Sequence, residues 1–273
     1  MSDPAMRLAV LGSGSSGNAL VVASGAHRLL VDAGFSCRML EKRLAILGED
    51  AADLDAVLLT HEHGDHVRGA RRLMTRHGMP VHGTAGTLDA CGLSPAALAS
   101  AAPAAAGQMS HVVRSGEPFE VPGFRVEAFA IPHDAREPVG YVIEDEAGTR
   151  LGVAADLGTR SRLAWARLAR VDALVLETNH DLQMLRAGPY PWHLKQRVAG
   201  RHGHLSNREA ALGLRELVSD RLRLVVAYHL SRTNNMPALV AQMLGEVLDR
   251  EGSSAEVVLT RQDEPTPWLE VTQ

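Results

Sequence analysis

The segment Thr60–His66, with the sequence THEHGDH, constrains this chain more than any other feature. It follows the apolar stretch Ala56–Leu59 (AVLL), which predicts a buried strand. Three imidazoles and an aspartate stand close together in it, and the glycine lets the loop bend sharply. Imidazole and carboxylate ligands together suit Zn²⁺, Mn²⁺ or iron, and the segment offers no thiolate. It therefore predicts a metal-binding loop at the end of a strand.

One loop cannot complete the coordination of two metals, so we expect further ligands at the ends of later strands. Three predicted strand ends carry suitable side chains. His133 and Asp134 follow Ile131, Asp156 follows Ala154, and His229 follows Tyr228. With the first loop, these positions supply two sets of nitrogen and oxygen ligands.

The composition of the chain fits a folded protein. Its 273 residues are 45% hydrophobic and 22% charged, which excludes a disordered or collagen-like chain. The net charge of −4 excludes a generally basic nucleic-acid coat but leaves room for a local basic groove. Two cysteines, Cys37 and Cys91, can form neither a disulfide framework nor a four-thiolate zinc site. We expect reduced thiols, no secretory leader, no membrane partner and a cytoplasmic location.

Hydrophobic periodicity predicts alternating strands and helices, which indicates two packed sheets with helices outside. The predicted strands are Arg7–Leu11, Ala19–Ala23, Arg28–Val31, Ala56–Thr60, Met79–His82, Phe124–Ile131, Val139–Glu144, Arg150–Ala154, Ala173–Leu176 and Leu224–Tyr228. The predicted helices are Cys37–Leu47, Val67–His77, Thr84–Cys91, Ser161–Ala169, Ser206–Val218 and Pro237–Leu248. Residues 94–107 are rich in alanine and interrupted by proline, so we expect a surface excursion there. We expect one domain over residues 1–273.

The segment Gly12–Gly17 (GSGSSG) matches the glycine pattern of dinucleotide-binding loops. Such a loop must lead into a helix, because the pyrophosphate rests on the N-terminus of that helix. Here Asn18–Ala23 reads as a strand instead, so the pattern fails its structural context. A turn that lets the backbone approach a neighbour closely is the better interpretation.

The segment Thr60–His66 resembles the H-x-H-x-D-H motif of the metallo-β-lactamase fold superfamily. The later positions His133, Asp156 and His229 match further motifs of that superfamily in order, so the resemblance spans nearly the whole chain. It implies an α/β protein with an αββα sandwich, in which two mixed β-sheets are flanked by helices. It also places a metal site at one edge, between the sheets.

The same resemblance implies roles for individual residues. One metal is expected on His61, His63 and His133, a second on Asp65, His66 and His229, with Asp156 bridging them. Asp32 resembles the early aspartate that orients the ligand loop and is not expected to be a ligand itself. Asp134 is interpreted as a turn residue or as a group that supports a ligand.

Several longer stretches narrow the resemblance to a WalJ/YycJ-like group within the nuclease and phosphodiesterase branch. They are Ser13–Asn18 (SGSSGN), Glu177–Asp181 (ETNHD), Gly188–Trp192 (GPYPW) and Gly203–Asn207 (GHLSN). The group implies an exonuclease acting on DNA with two divalent metal ions, Zn or Mn, or else Fe. Two such ions generate a hydroxide near neutral pH and stabilise an in-line displacement at phosphorus.

Phosphodiester cleavage also requires a proton for the leaving alkoxide. His204, at a predicted helix start, is the candidate general acid. Glu177 is expected to orient or charge it, and His180 to contact phosphate or brace a ligand. Asp65 is counted with these catalytic residues as well as with the metal ligands.

A basic segment favours a nucleic-acid substrate. Between Leu182 and Arg208 there is no acidic residue, and Tyr190 and Trp192 lie within the segment. Its basic residues are Arg186, Lys195, Arg197, Arg201 and Arg208. Basic side chains can pair with phosphates and aromatic rings can stack on bases, which suits single-stranded nucleic acid. An ordinary basic surface helix has the same composition. Arg68, Arg71, Arg72 and Arg76 form a second basic face, which a helix C-terminus would also explain.

Two other functions remain compatible with this sequence. One is a thioester, lactone or β-lactam hydrolase of the same fold, since the ligands alone do not select a substrate. The other is a non-catalytic binding protein, although every expected ligand position is filled. The remaining histidines are interpreted as surface or packing residues: His27, His77, His82, His111, His193 and His202. The sequence predicts no particular oligomeric state.

Overall fold

The computed structural model describes residues 6–101 and 109–272. Within them the chain forms two seven-stranded sheets. The first sheet contains β1 (Arg7–Gly12), β2 (Ala19–Ser24), β3 (His27–Val31), β4 (Ala56–Leu58), β5 (Val81–Gly83), β6 (Ser110–Val112) and β14 (Leu269–Glu270). The second contains β7 (Pro118–Val121), β8 (Phe124–Ala130), β9 (Val139–Asp145), β10 (Arg150–Ala154), β11 (Ala173–Glu177), β12 (Leu224–Tyr228) and β13 (Glu256–Leu259).

Both sheets are mixed, as the resemblance implied. The order of the first is β14-β1-β2-β3-β4-β5-β6, antiparallel up to β3 and parallel from β3 to β6. The order of the second is β13-β12-β11-β10-β9-β8-β7, parallel from β10 to β13 and antiparallel for the remainder. The carboxyl ends of parallel strands collect at one edge of a sheet, where open α/β proteins bind ligands.

Helices flank the two sheets. They are α1 (Cys37–Ile46), α2 (Gly64–Val67), α3 (Ala70–His77), α4 (Ala85–Ala90), α5 (Pro95–Ala101), α6 (Arg162–Leu168), α7 (Leu182–Ala187), α8 (Trp192–Val198), α9 (Asn207–Leu217) and α10 (Pro237–Arg250). Side chains of Ser36, Ser161 and Ser206 cap the N-termini of α1, α6 and α9 and accept hydrogen bonds from backbone N–H groups. No helix in the described part of the chain is long and apolar enough to cross a membrane.

The main core lies between the two sheets. Alternation along β1 sends Leu8 and Val10 into it and turns Ala9 and Leu11 toward the outer helices. Tyr141, on β9, is fully buried there, and its hydroxyl donates a 2.6 Å hydrogen bond to the carbonyl oxygen of Leu59. The second sheet thereby contacts the first directly before the segment Thr60–His66.

The expected helix Val67–His77 was wrong, because the chain forms two helices there. The first, α2, already begins at Gly64 inside the histidine segment, and α3 begins at Ala70. Gly69 separates them: its N–H donates to the Ala33 carbonyl at 2.7 Å, and a Cβ at this position would lie 2.4 Å from the Phe35 carbonyl oxygen. This close approach fixes the helix break.

Other differences concern short elements. The strands β6, β7, β13 and β14 and the helices α7 and α8 were not predicted, since they are brief or largely exposed. Of the expected excursion at 94–107, α5 accounts for Pro95–Ala101, and residues 102–107 lie outside the described residues. The strand after Gly12–Gly17 is present as β2, and no helix follows that loop.

Candidate metal centre

Polar side chains from both sheets meet where strands end. Asp32 follows β3, the segment Thr60–His66 follows β4, and Asp156 and His229 follow β10 and β12. The backbone of Asp32, Asp156 and His229 has positive φ values of 60°, 52° and 58°. Residues with side chains adopt this region uncommonly, and such strain clusters at functional sites.

One group of candidate ligands comprises His61, His63, His133 and Asp156, whose ligand atoms all lie within 4.8 Å of one another. His61 Nε2 is 3.3 Å from Asp156 Oδ2, and His63 Nδ1 is 3.2 Å from His133 Nε2. All but His63 are buried. The structure thus brings together the four residues expected around the first metal.

A second group comprises Asp65, His66 and His229 within the same limit of 4.8 Å. Asp65 Oδ2 lies 3.7 Å from His66 Nε2 and 3.5 Å from His229 Nε2. Asp156 stands between the two groups, with Oδ2 2.9 Å from His66 Nε2 and Oδ1 3.0 Å from His229 Nδ1. The structure therefore places Asp156 within reach of both groups, and its role as a bridging ligand stays a prediction.

Hydrogen bonds behind the ligands fix which ring nitrogen faces the centre. Asp32 Oδ2 lies 2.7 Å from His66 Nδ1, and Asp32 Oδ1 accepts hydrogen bonds from the N–H and the hydroxyl of Thr60 at 2.9 and 3.0 Å. His133 Nδ1 lies 3.1 Å from the Gly203 carbonyl oxygen. With Nδ1 donating to these oxygens, Nε2 of His66 and His133 is left with a lone pair for a metal.

Three buried atoms at the centre have no hydrogen bond of acceptable geometry: His61 Nε2, Asp156 Oδ1 and His229 Nε2. Buried polar atoms are normally satisfied, so orphaned atoms need a partner of another kind. The donor set of imidazole and carboxylate groups suits Zn²⁺, Mn²⁺ or Fe²⁺. The residues present therefore fit two divalent cations.

Without cations, the carboxylates of the cluster are balanced by His66 and His229. Burial lowers the pKa of these two rings, but the charge of Asp156 outweighs it and raises both, to about 10 for His229, so metal binding must displace their protons. Burial raises the pKa of Asp65, but the adjacent His229 ring and the charge of His66 outweigh it and lower the pKa to about 2. Burial likewise opposes ionisation of Asp156, yet the charges of His229 and His66 hold its pKa well below the ordinary value. Both carboxylates are ionised at neutral pH. Burial lowers the pKa of His61 to about 4, so that ring is neutral and able to coordinate.

The loop Gly12–Gly17 and the residue after it, Asn18, support the same ligands, a role that sequence reasoning missed. Ser13 Oγ accepts a 2.7 Å hydrogen bond from the His229 N–H. The Asn18 amide donates to Asp65 Oδ2 at 3.3 Å and lies 3.1 Å from His66 Nε2. The expected close approach is present, because a Cβ at Gly14 would lie 2.7 Å from the Gln262 side chain. The only sequence signal for this supporting role was that the loop is polar and rich in glycine although its context does not fit dinucleotide binding.

His204 and Glu177 form a pair beside the centre, with 2.6 Å between His204 Nδ1 and Glu177 Oε1. Glu177 is completely buried, and its Oε2 accepts hydrogen bonds from the N–H groups of Leu157 and Leu205 at 2.7 and 3.1 Å. Burial lowers the pKa of His204, but the charge and hydrogen bond of Glu177 outweigh it and raise the pKa. His204 Nδ1 is also 3.8 Å from Asp156 Oδ1, so the pair adjoins the candidate ligands.

His180 and Asp134 lie at the margin of the site. His180 is 1% exposed, and neither of its ring nitrogens has a hydrogen-bond partner. Burial lowers its pKa to about 4, which leaves a neutral ring. Asp134 does more than shape a turn, because its Oδ2 accepts a 2.6 Å hydrogen bond from Arg197 and its Oδ1 lies 3.4 Å from His133 Nε2.

The basic segment forms a surface next to the pair of His204 and Glu177. No residue of α8 is buried, and Trp192 at its start is 70% exposed. The Val198 carbonyl at its end accepts a hydrogen bond from the His204 N–H at 2.9 Å. On the second basic face, Arg68 donates to the Ser16 carbonyl and Arg71 to the Gly92 carbonyl, so these two arginines also hold neighbouring loops.

The chain matches known proteins along most of its length. Residues 27–229 match the family model described as a beta-lactamase superfamily domain. Exodeoxyribonuclease YycJ of Bacillus anthracis is 32% identical over 247 residues, which are 90% of each protein. Exodeoxyribonuclease WalJ of Streptococcus pneumoniae serotype 2 is 31% identical over 277 aligned positions, covering 99% of this chain and 100% of that protein.

Solved structures share the architecture. The metallo-β-lactamase fold protein YhfI from Bacillus subtilis superposes with a TM-score of 0.70 at 18% identity, covering 97% of this chain and 99% of that one. Zn²⁺-bound PqqB from Methylobacterium extorquens gives a TM-score of 0.68 at 22% identity, covering 95% and 99%. The predicted αββα fold, with two mixed sheets flanked by helices, is thereby confirmed.

Proposed function

Since this chain belongs to the metallo-β-lactamase superfamily, we propose that it is a metal-dependent phosphodiesterase that removes nucleotides from an end of DNA. Its WalJ and YycJ relatives carry the name exodeoxyribonuclease and are similar over 90% or more of this chain. The observation that carries the proposal is the 2.6 Å contact between His204 and the buried Glu177, directly beside the candidate ligands.

We assign the cations to the two ligand groups. His61, His63 and His133 would hold one, Asp65, His66 and His229 would hold the other, and Asp156 would contribute to both. Two divalent cations bound there would activate a water molecule and stabilise the charge on phosphate oxygens. Orphaned nitrogen and oxygen atoms in the buried cluster support this assignment. Zinc or manganese is the expected metal, and iron has the same ligand preferences.

His204 is proposed as the general acid. Glu177 accepts a hydrogen bond from the Nδ1–H group of His204, which holds the ring in one orientation. Nε2 can then donate a proton to the leaving 3′ or 5′ oxygen. The raised pKa favours the protonated ring near neutral pH. An alkoxide leaving group needs such a donor, whereas a thiolate leaving group needs it far less.

The surface of α8 is proposed to hold the nucleic acid. Trp192 offers an exposed ring on which a base can stack, and Arg186, Arg201 and Arg208 contribute cations nearby in sequence. His180 is proposed to contact phosphate or brace a ligand, since neither nitrogen of its buried ring has a hydrogen-bond partner among the described residues. DNA is favoured because of the names of the relatives.

A substrate panel tests the proposal. Metal content would be measured first, followed by activity with Mn²⁺ or Zn²⁺ on end-labelled single- and double-stranded DNA, RNA, bis(p-nitrophenyl) phosphate, a thioester and nitrocefin. We expect cleavage of DNA and of the phosphate diester, and none by His66→Ala, which lacks a candidate ligand. Thioester or nitrocefin turnover without phosphodiester cleavage would instead assign the chain to the alternative hydrolase class.

Circular DNA separates an exonuclease from an endonuclease. A linear single strand and its ligated circle have the same sequence and differ only in having ends. We expect mononucleotide or short products from the linear strand and an intact circle. Cleavage of both at equal rates would reject the requirement for an end while leaving phosphodiesterase activity in place.

We also propose that the chain forms one hydrolase domain and acts in the cytoplasm. Both sheets contribute ligands to one centre, which is difficult to reconcile with two independent units. Both cysteines are free thiols, as expected where thiols remain reduced.

A further inference from the structure

A second cluster of metal-binding side chains lies outside the centre, where α1 and α3 pack together. Cys37 and Glu41 are one turn apart on α1, and His77 is the last residue of α3. Glu41 Oε1 is 3.4 Å from Cys37 Sγ and 2.9 Å from His77 Nε2. All three ligand atoms lie within 4.8 Å of one another.

The spacing of these atoms suits a tetrahedral ion. Bond lengths of about 2.3 Å to sulfur and about 2.0–2.1 Å to nitrogen and oxygen place neighbouring ligand atoms roughly 3.3–3.7 Å apart. Two of the three contacts require shifts of only a few tenths of an ångström to meet that range. The side chains of Glu41 and His77 are 25% and 14% exposed, so an ion can enter from solvent and keep a water molecule as its fourth ligand.

We propose that Cys37, Glu41 and His77 bind one Zn²⁺ ion at the α1–α3 contact. One thiolate and one carboxylate balance the charge of the ion, and a mixed sulfur, nitrogen and oxygen set selects zinc over magnesium or calcium. The site is separate from the dinuclear centre and does not depend on the function proposed for it.

Binding requires two local changes. Arg76 Nε lies 3.1 Å from Glu41 Oε1 and must withdraw, which its 56% exposed side chain can do by turning into solvent. The thiol must release its proton, because burial, followed by the hydrogen bond and charge of Glu41, raises the pKa of Cys37 to about 11. Without a metal this thiol is therefore a weak nucleophile, which argues against a role as a reactive cysteine.

The two helices joined by this ion flank the ligand loop. Four residues before α1, the Ala33 N–H donates to the His66 carbonyl at 2.6 Å, and directly before α3, the Gly69 N–H donates to the Ala33 carbonyl at 2.7 Å. An ion between α1 and α3 would hold these segments together from the outer side of the sheet. Its expected role is structural.

Cobalt substitution tests the proposal without an activity assay. Co²⁺ occupies zinc sites and, when bound by thiolate, gives a sulfur-to-metal charge-transfer band in the near ultraviolet. The dinuclear centre contains only nitrogen and oxygen ligands, so this band reports on cysteine alone. Titrating the metal-free full chain with Co²⁺ should give the band, with more cobalt bound per chain than in a variant that lacks the site.

Matched cysteine variants locate the signal. Cys37→Ser should abolish the band and lower the bound cobalt by one ion, whereas Cys91→Ser should keep both. His77→Ala and Glu41→Gln should weaken or abolish the band. The far-ultraviolet circular dichroism spectrum serves as the control for folding in each variant. Absence of the band in the wild-type chain, or its loss in Cys91→Ser with retention in Cys37→Ser, would overturn the proposal.

Discussion

Asp32 holds two residues of the ligand segment in place without being expected to bind a metal itself. It contacts Thr60 and the outer nitrogen of His66. Asp32→Asn keeps the shape of the side chain, and asparagine tolerates the left-handed backbone found here, so the fold should survive. Loss of the charged acceptor should weaken metal binding about 10–100-fold.

Competitive titration against a zinc chelator would measure this change. Asp53→Asn is the matched control, since Asp53 is exposed in the short 3₁₀ helix Ala51–Asp53. An unchanged zinc affinity in Asp32→Asn would show that the contact with His66 does not prepare the ring for coordination.

The role of His204 can be separated from metal binding. We expect His204→Ala to lower kcat on a phosphate diester by about 10²–10⁴-fold with the metal content unchanged, as removal of a general acid does. Metal analysis and steady-state kinetics on the same sample measure both. The control is His202→Ala, two residues away and exposed. Full activity in His204→Ala, or loss of metal from it, would contradict the assignment.

His82 makes the stability of the protein sensitive to acid. Its ring is stacked on His111 and Phe119, with centroid distances of 4.6 and 5.4 Å. Burial, followed by the charge of His111, lowers the pKa of His82 from 6.5 to about 4. The folded state therefore binds the proton less tightly than the unfolded chain, so the stabilisation is complete above pH 6.5 and is lost as the pH falls toward 4.

His82→Phe should keep the stacking and remove this proton-linked loss, which amounts to at most about 3 kcal/mol. Urea unfolding with a chelator present, at about pH 7 and about pH 4, gives the change in unfolding free energy for each protein. The wild type should lose more stability than the variant. Equal losses would indicate that other groups account for the acid sensitivity.

At the residue scale, the sequence predicts the candidate metal ligands better than the residues that hydrogen-bond to them. Histidine and aspartate after apolar strands are visible because they interrupt a pattern. Ser13 and Asn18 are not, because serine and asparagine are common in turns and their contacts with His229 and His66 join positions far apart in the chain.

Among the elements, long buried strands were predicted well and short edge strands were missed. The pattern of β9–β12 is almost continuously apolar, which is typical of strands covered on both faces. The strands β7 and β13 are partly exposed, so their pairing comes from neighbouring strands more than from their own residues. The break between α2 and α3 depended on a tertiary contact of Gly69, which local periodicity cannot reveal.

Helix α8 gives a prediction about substrate binding. Truncation of an aromatic ring that stacks on a base costs about 1–3 kcal/mol. Trp192→Ala should therefore weaken binding of single-stranded DNA roughly 5–150-fold while sparing metal content and the fold. Fluorescence anisotropy of a labelled oligonucleotide measures it. Ile46→Ala, which removes a 63% exposed side chain from α1, is the control, and equal affinities would exclude α8 as a stacking surface.

For the whole molecule, metal binding should be linked to folding, because ligands from both sheets meet at one centre. A metal that binds only the folded state adds about 2.7 kcal/mol of stability when its free concentration is about 100 times Kd. Urea unfolding with zinc and with a chelator measures this difference. In a Cys37→Ser background, which lacks the site proposed between α1 and α3, His66→Ala should show a much smaller response, and a response equal to that of Cys37→Ser alone would argue against His66 as a ligand.

The left-handed backbone at Asp32, Asp156 and His229 favours glycine, whereas the candidate metal centre needs the side chains of these three residues. Glycine accepts this geometry with less strain, yet it would remove the carboxylates and the imidazole. Glycine variants here should thus be less disruptive to the backbone than alanine variants while being equally inactive. In homologues no longer selected for catalysis, we expect glycine or asparagine to accumulate at these positions. Such proteins would have less backbone strain and no activity.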